Sequence, residues 1–125
     1  MKTLLAFSAT VEAATGLLLL AFPSIVVELL TGTGLAGSGI ESARIAGISL
    51  VSLALAAWPR ARQDAAFAGL LVYNSLVAVY LGYLGVRGEA TGKMLWPAVA
   101  FHVVVTVLLT YWRGRSLAAN RGVER

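Results

Sequence analysis

Four apolar runs, each long enough to cross a bilayer, constrain this chain more than anything else in it. They extend over about residues 3–22, 39–58, 65–86 and 95–112. Crossing ~30 Å of hydrocarbon as an α-helix takes about 20 residues. Backbone polar groups cannot go unpaired in lipid, so each run must be helical. The expected fold is all-α: a four-transmembrane-helix bundle forming one integral membrane domain over residues 1–125, with a short tail, 113–125, after the last span. Charged residues make up only 13% of the 125, about half the usual share in soluble domains and too few to coat a soluble surface. The chain has no cysteine, which removes disulfides, thiolate nucleophiles and Cys-based metal sites.

Prolines and glycines punctuate the runs. Pro59 directly follows the second run and stops it. Pro97 falls in the first turn of the fourth, where its missing N–H costs little. Pro23 either kinks a longer first helix or ends it and starts a short one, and the second reading is favoured. The segment Ser24-Ile-Val-Val-Glu28-Leu-Leu30 mixes polar and apolar residues, as a short helix lying in the membrane interface does. A glycine-rich, uncharged loop follows, from Thr31 to Gly39.

The cations divide unequally between the two sides. Lys2, Arg60, Arg62, Arg113, Arg115, Arg121 and Arg125 fall on one side, Arg87 and Lys93 on the other. The positive-inside rule then places both termini in the cytoplasm and the protein in the cell inner (plasma) membrane. Trp58, Trp96 and Trp112 all fall at span ends, where an aromatic belt belongs. A signal-peptide reading of the first residues is disfavoured, because the initial apolar run is short and Glu12 interrupts it. The net charge of +4 invites a nucleic-acid reading, but the cations sit at the ends of apolar runs and form no basic groove. The lipid bilayer is the expected partner, together with a second copy or a partner membrane subunit.

Each run also carries one strongly polar residue well inside it: Glu12, Arg44, Asn74 and His102. A charge at the centre of a membrane helix costs about 2.5–3.5 kcal/mol on insertion scales, so such residues turn toward a bundle interior and mark functional sites by default. At ~1.5 Å per residue from the terminal side, Glu12 and Asn74 lie ~13 Å deep, His102 ~15 Å and Arg44 ~21 Å. Coincident depth on separate helices is what a shared polar centre requires. Small or polar residues sit one turn from three of them: Ser8, Thr15 and Gly16 around Glu12, Ala98 and Thr106 around His102, and Glu41 and Gly47 around Arg44. Small residues recur at four-residue spacing as Ala6, Thr10, Ala14 and as Gly39, Ala43, Gly47, a pattern that lets helices approach closely. Tyr73 and Tyr80, seven residues apart, share a face of the third run and form an aromatic wall near the polar level.

Structural readings stand beside the functional ones. A Glu12–Arg44 pair could fix helix register. Glu41 and Arg44, at i and i+3, form a candidate pair on one helix face. Asn74 suits an interhelical hydrogen bond. The single histidine excludes a bis-His haem or a multi-His metal site within one chain. No nucleophile–base–acid set, phosphate loop or metal-ligand cluster is legible, so no cofactor is expected and a non-enzymatic role is favoured.

Two resemblances can be drawn. The pattern Gly16-Leu-Leu-Leu-Leu-Ala-Phe-Pro23, the short segment and glycine-rich loop after it, and Ala43-Arg44-Ile-Ala-Gly47 together resemble the DoxX-like group of small four-helix bacterial membrane proteins. That resemblance implies architecture more than activity. Val11-Glu12-Ala-Ala-Thr-Gly16 is similar to the first helix of the small multidrug resistance family, whose essential glutamate exchanges protons and drugs. That likeness covers the first helix alone, since Trp96-Pro97 opens the fourth run here rather than the second. The leading expectation is a membrane-embedded binding or transport-type protein with Glu12, Arg44, Asn74 and His102 at its centre. The alternatives are a non-catalytic accessory or structural membrane protein and a proton-coupled exporter of lipophilic cations.

Overall fold

The computed structural model describes residues 2–58 and 63–123. The described residues form five helices: α1 (Lys2–Ala21), α2 (Pro23–Thr31), α3 (Ser38–Ala56), α4 (Gln63–Val86) and α5 (Leu95–Val123). Four of them, all but α2, are long and apolar enough to cross a membrane. Pro59, read as the stop of the second run, lies outside the described residues, as do Arg60, Arg62 and Arg125; α3 itself ends at Ala56. The expected tail is not a separate element, because α5 continues as helix to Val123.

Pro23 ends one helix and begins another. Phe22, held out of the helical region by the proline after it, has φ −135° and ψ 56°, and Pro23 takes the first position of α2, where no N–H is needed. Gly32 closes α2 in the left-handed conformation at φ 85°, its N–H bonded to the Glu28 carbonyl. That conformation favours glycine because it has no Cβ. The loop then folds back on α2, with the Leu35 N–H donating to Ser24 Oγ at 3.1 Å.

The spanning helices group as two tight pairs, α1 along α3 and α4 along α5. The first pair closes on glycine. A Cβ built on Gly16 would stand 2.7 Å from the Gly47 carbonyl oxygen, and one built on Gly47 the same distance from the Gly16 oxygen. No side chain fits at either position, so the two backbones touch. The expected small-residue stripe holds on α3, where Ala43 and Gly47 are buried, and fails on α1. Thr10 and Ala14 face outward, and the buried stripe runs instead through Ser8, Glu12 and Gly16. Both stripes are small enough to pack, but only one also takes the carboxyl out of the hydrocarbon.

α2 joins the two pairs. Its last turn accepts hydrogen bonds from the α4–α5 loop, Met94 N–H to Leu29 O at 2.8 Å and Thr91 N–H to Thr31 O at 2.9 Å. Gly92 permits this, since a Cβ there would overlap the Leu29 and Leu30 backbone. At the opposite end, near the two termini, Leu5 and Ala9 of α1, Phe67 and Leu70 of α4, and Val105 and Leu109 of α5 fill the centre of the bundle.

The exterior is apolar, with Leu55, Val79, Val86 and Ile45 all largely exposed, the reverse of a soluble bundle. Outward-facing hydroxyls satisfy themselves. Thr10, Ser49, Ser52 and Thr110 each donate to the carbonyl four residues earlier, at 2.8 to 3.0 Å.

Candidate functional site: a polar floor under an apolar cavity

Three of the four intramembrane polar residues turn inward. Glu12 is 1% exposed, Asn74 0% and His102 9%. Asn74 and His102 bind each other across the α4–α5 seam. The Asn74 Nδ2–H donates to the Leu70 carbonyl at 2.8 Å, which leaves Oδ1 to accept from His102 Nδ1–H, also at 2.8 Å. With Nδ1 protonated, the neutral imidazole presents Nε2 as an acceptor. Tyr73 and Phe101 flank the ring edge-on, their centroids 5.8 and 5.3 Å from that of His102.

Glu12 is placed differently. Its carboxyl lies beside the Tyr73 hydroxyl across the α1–α4 seam, yet Oε1 is buried and has no hydrogen-bond partner. Ser8 Oγ, one turn below Glu12, and Thr106 Oγ1, one turn from His102, are buried and unpartnered as well. These two hydroxyls behave unlike the self-satisfied ones on the exterior. Leaving a buried polar group unpaired costs about 1–3 kcal/mol, so three such groups within about one turn of the Glu12–His102 level are not an economical way to hold helices together.

Above this level the helix pairs part and leave a half-open cavity of about 740 Å³. That volume falls within the roughly 300–1,000 Å³ of small-molecule sites. Glu12, Tyr73 and His102 lie at its deep end. Toward α2 the walls are almost wholly apolar, with Leu18 and Leu19 from α1, Leu76 and Leu81 from α4, and Met94 and Pro97 from α5. Val26, Leu29 and Leu30 of α2 complete the lining. Sequence reasoning missed this role of α2, although the i, i+3, i+4 spacing of those three residues is the signal of an inward face.

The structure does not bring Arg44 to the centre. It is exposed, about a quarter turn round α3 from the Ala43, Gly47, Leu50 and Ala54 stripe that faces inward, and it takes no part in the cavity lining. The Glu12–Arg44 pair is therefore not formed. Nor is the Glu41–Arg44 pair: both residues are exposed, and the ion pair found among the described residues is Arg87–Glu89 at 3.2 Å. The reason is steric and electrostatic. The α1–α3 seam, closed to backbone contact at Gly16 and Gly47, has no room for a guanidinium. Arg44 lies two turns into α3, and its long stem can carry the charge outward toward that helix end. Tyr80 is 62% exposed and meets the cavity only at its edge, whereas Tyr73 is half buried beside Glu12. Among the described residues no group of three His, Asp or Glu side chains could hold a metal ion.

Fold and cavity together define a class, a small helical multi-pass membrane protein with a ligand-sized internal space. Beyond the class, no protein-family model, curated protein or solved structure matches the chain.

Proposed function

We propose that this protein binds a lipophilic molecule within the membrane, in the cavity between its two helix pairs, as a binding or transport-type protein. The observation that carries the reading is the buried, unpartnered Oε1 of Glu12 at the deep end of an otherwise apolar space. A carboxyl kept there only for stability would be expected to fill both oxygens, whereas Glu12 has the Tyr73 hydroxyl beside it and Oε1 left open. Asn74 and His102 have the geometry of a structural clip, and the accessory-protein reading draws its support from them. Glu12 does not fit that reading. The exporter alternative gains one point, since Arg44 does not neutralise Glu12.

In this proposal both termini face the cytoplasm, α2 lies in the opposite interface of the inner membrane, and the overall architecture is DoxX-like. Purified protein reconstituted in liposomes tests transport directly. A flux of lipophilic substrate that Glu12→Gln abolishes, in protein of unchanged thermal stability, is the expected result. Unaltered flux in that variant overturns a transport role for the site. Equal binding of lipophiles by wild type and by a variant with the cavity filled, Leu76→Trp with Ala98→Phe, overturns the cavity itself.

A further inference from the structure

The buried polar groups of the cavity, Glu12 and His102, lie at one end of it, near the middle of the spans. Val11, Tyr73 and Phe101 line that end with them, Thr15 and the exposed Tyr80 stand further along, and the α2 residues of the lining are all aliphatic. A membrane lipid sits the other way round, with its headgroup at the interface and its tail at the midplane. An amphiphile in this cavity can match both ends only by inverting, head at mid-span and tail toward α2.

The floor also selects the head. The Glu12 carboxyl, with the Tyr73 hydroxyl already beside it, keeps Oε1 as an unfilled acceptor, and His102, with Nδ1–H committed to Asn74, has Nε2 left to accept. Among the described residues no lysine or arginine lines the cavity, so an anionic head would meet a carboxyl with no cation beside it. A cationic head would place two charges in a low-dielectric site, where pairing at best offsets the loss of hydration. A hydroxyl supplies the missing donor hydrogen at much smaller desolvation cost. The volume of about 740 Å³ suits one slender molecule.

Resting on the cavity-binding reading above, we infer that the natural ligand is a neutral lipophilic alcohol bound head-inward, its O–H donating to Glu12 and its hydrocarbon body directed toward α2.

The test uses the full chain in phosphatidylcholine nanodiscs and four probes of one chain length: hexadecanol, hexadecylamine, palmitic acid and hexadecane. Each competes against a diazirine-bearing hexadecanol, and labelled peptides are mapped by mass spectrometry. Hexadecanol is expected to compete about tenfold better than hexadecane, the size of one hydrogen bond to a charged or buried acceptor, with palmitic acid weakest. A diazirine at the tail should label α2, and one near the head should label α1 at the level of Glu12. Glu12→Leu should remove the advantage of the alcohol while leaving hexadecane binding intact, which also reports that the cavity survives the substitution. Equal competition by alcohol and hydrocarbon overturns the head assignment and leaves cavity binding standing. Amine competing better than alcohol overturns it in favour of a cationic head. Exchange of the two labelling patterns overturns the orientation. No competition by any of the four overturns the cavity-binding reading itself.

Discussion

Leu70 and Leu76 stand less than two turns apart on α4, and their surroundings have little in common. Leu70 is 0% exposed, in the closed core near the termini; Leu76 is 64% exposed and borders the cavity. The same helices build both halves of the bundle. In one half their side chains meet at the centre, and in the other space remains, lined on one side by α2, which is tied to the α4–α5 loop. Helices in lipid associate through close packing, because lipid tails are as apolar as leucine and supply no hydrophobic drive. Open space in one half therefore forgoes contacts that the other half makes. A cost confined to one region, beside unsatisfied polar atoms, is the usual mark of a binding site.

The sharpest challenge to this division is to the seam that both halves share. Gly47→Leu forces a side chain against the Gly16 carbonyl, and overpacking there should cost about 3 kcal/mol, read as a shifted midpoint in detergent denaturation. A loss under about 1 kcal/mol would mean that the α1–α3 contact is not close.

The two leucines compare the halves directly. Leu70→Ala should cost about 2–3 kcal/mol as a buried truncation, whereas Leu76→Ala should stay within about 0.5 kcal/mol. Equal losses would erase the distinction between the filled half and the hollow one.

The clip on which the floor stands should show a smaller effect. Asn74→Ala strands the His102 Nδ1–H and should cost about 1–2 kcal/mol. A double-mutant cycle with His102→Ala should return a coupling of about 0.6 kcal/mol, typical of hydrogen bonds between membrane helices. Zero coupling would mean that the two side chains do not act together. The smallest change belongs to the residue argued to matter most for function. Glu12→Leu should leave stability unchanged or raise it by up to about 1 kcal/mol, because a buried carboxyl with an open oxygen is removed at the cost of its contact with the Tyr73 hydroxyl. A large destabilisation would show that Glu12 is holding the helices after all.

Much of the site was legible in composition and spacing. Glu12, Asn74 and His102 announced themselves as costly residues at one depth, and hydrocarbon leaves such groups little alternative to turning inward. Ser8 and Thr106 were visible as their neighbours, although only the geometry distinguishes them from the serines and threonines that bond back to their own helices. Arg44 did not follow the same rule. A long side chain near a helix end can reach water by itself, so depth along the chain does not fix where its charge resides.

The sequence by itself determined that four segments must be helices of membrane length and which side chains lipid would reject, and it left Pro23 as either a kink or a helix end. These follow from local terms, the pairing of backbone groups and the transfer cost of each residue. Only the tertiary structure decided which helices pair, that Pro23 ends α1 rather than kinking it, that Glu12 Oε1 is left open while His102 and Asn74 bond each other, and that a cavity lies above them. Those outcomes depend on where two backbones can touch at glycine and where α2 is tied to the α4–α5 loop, and such contacts join residues that are remote along the chain.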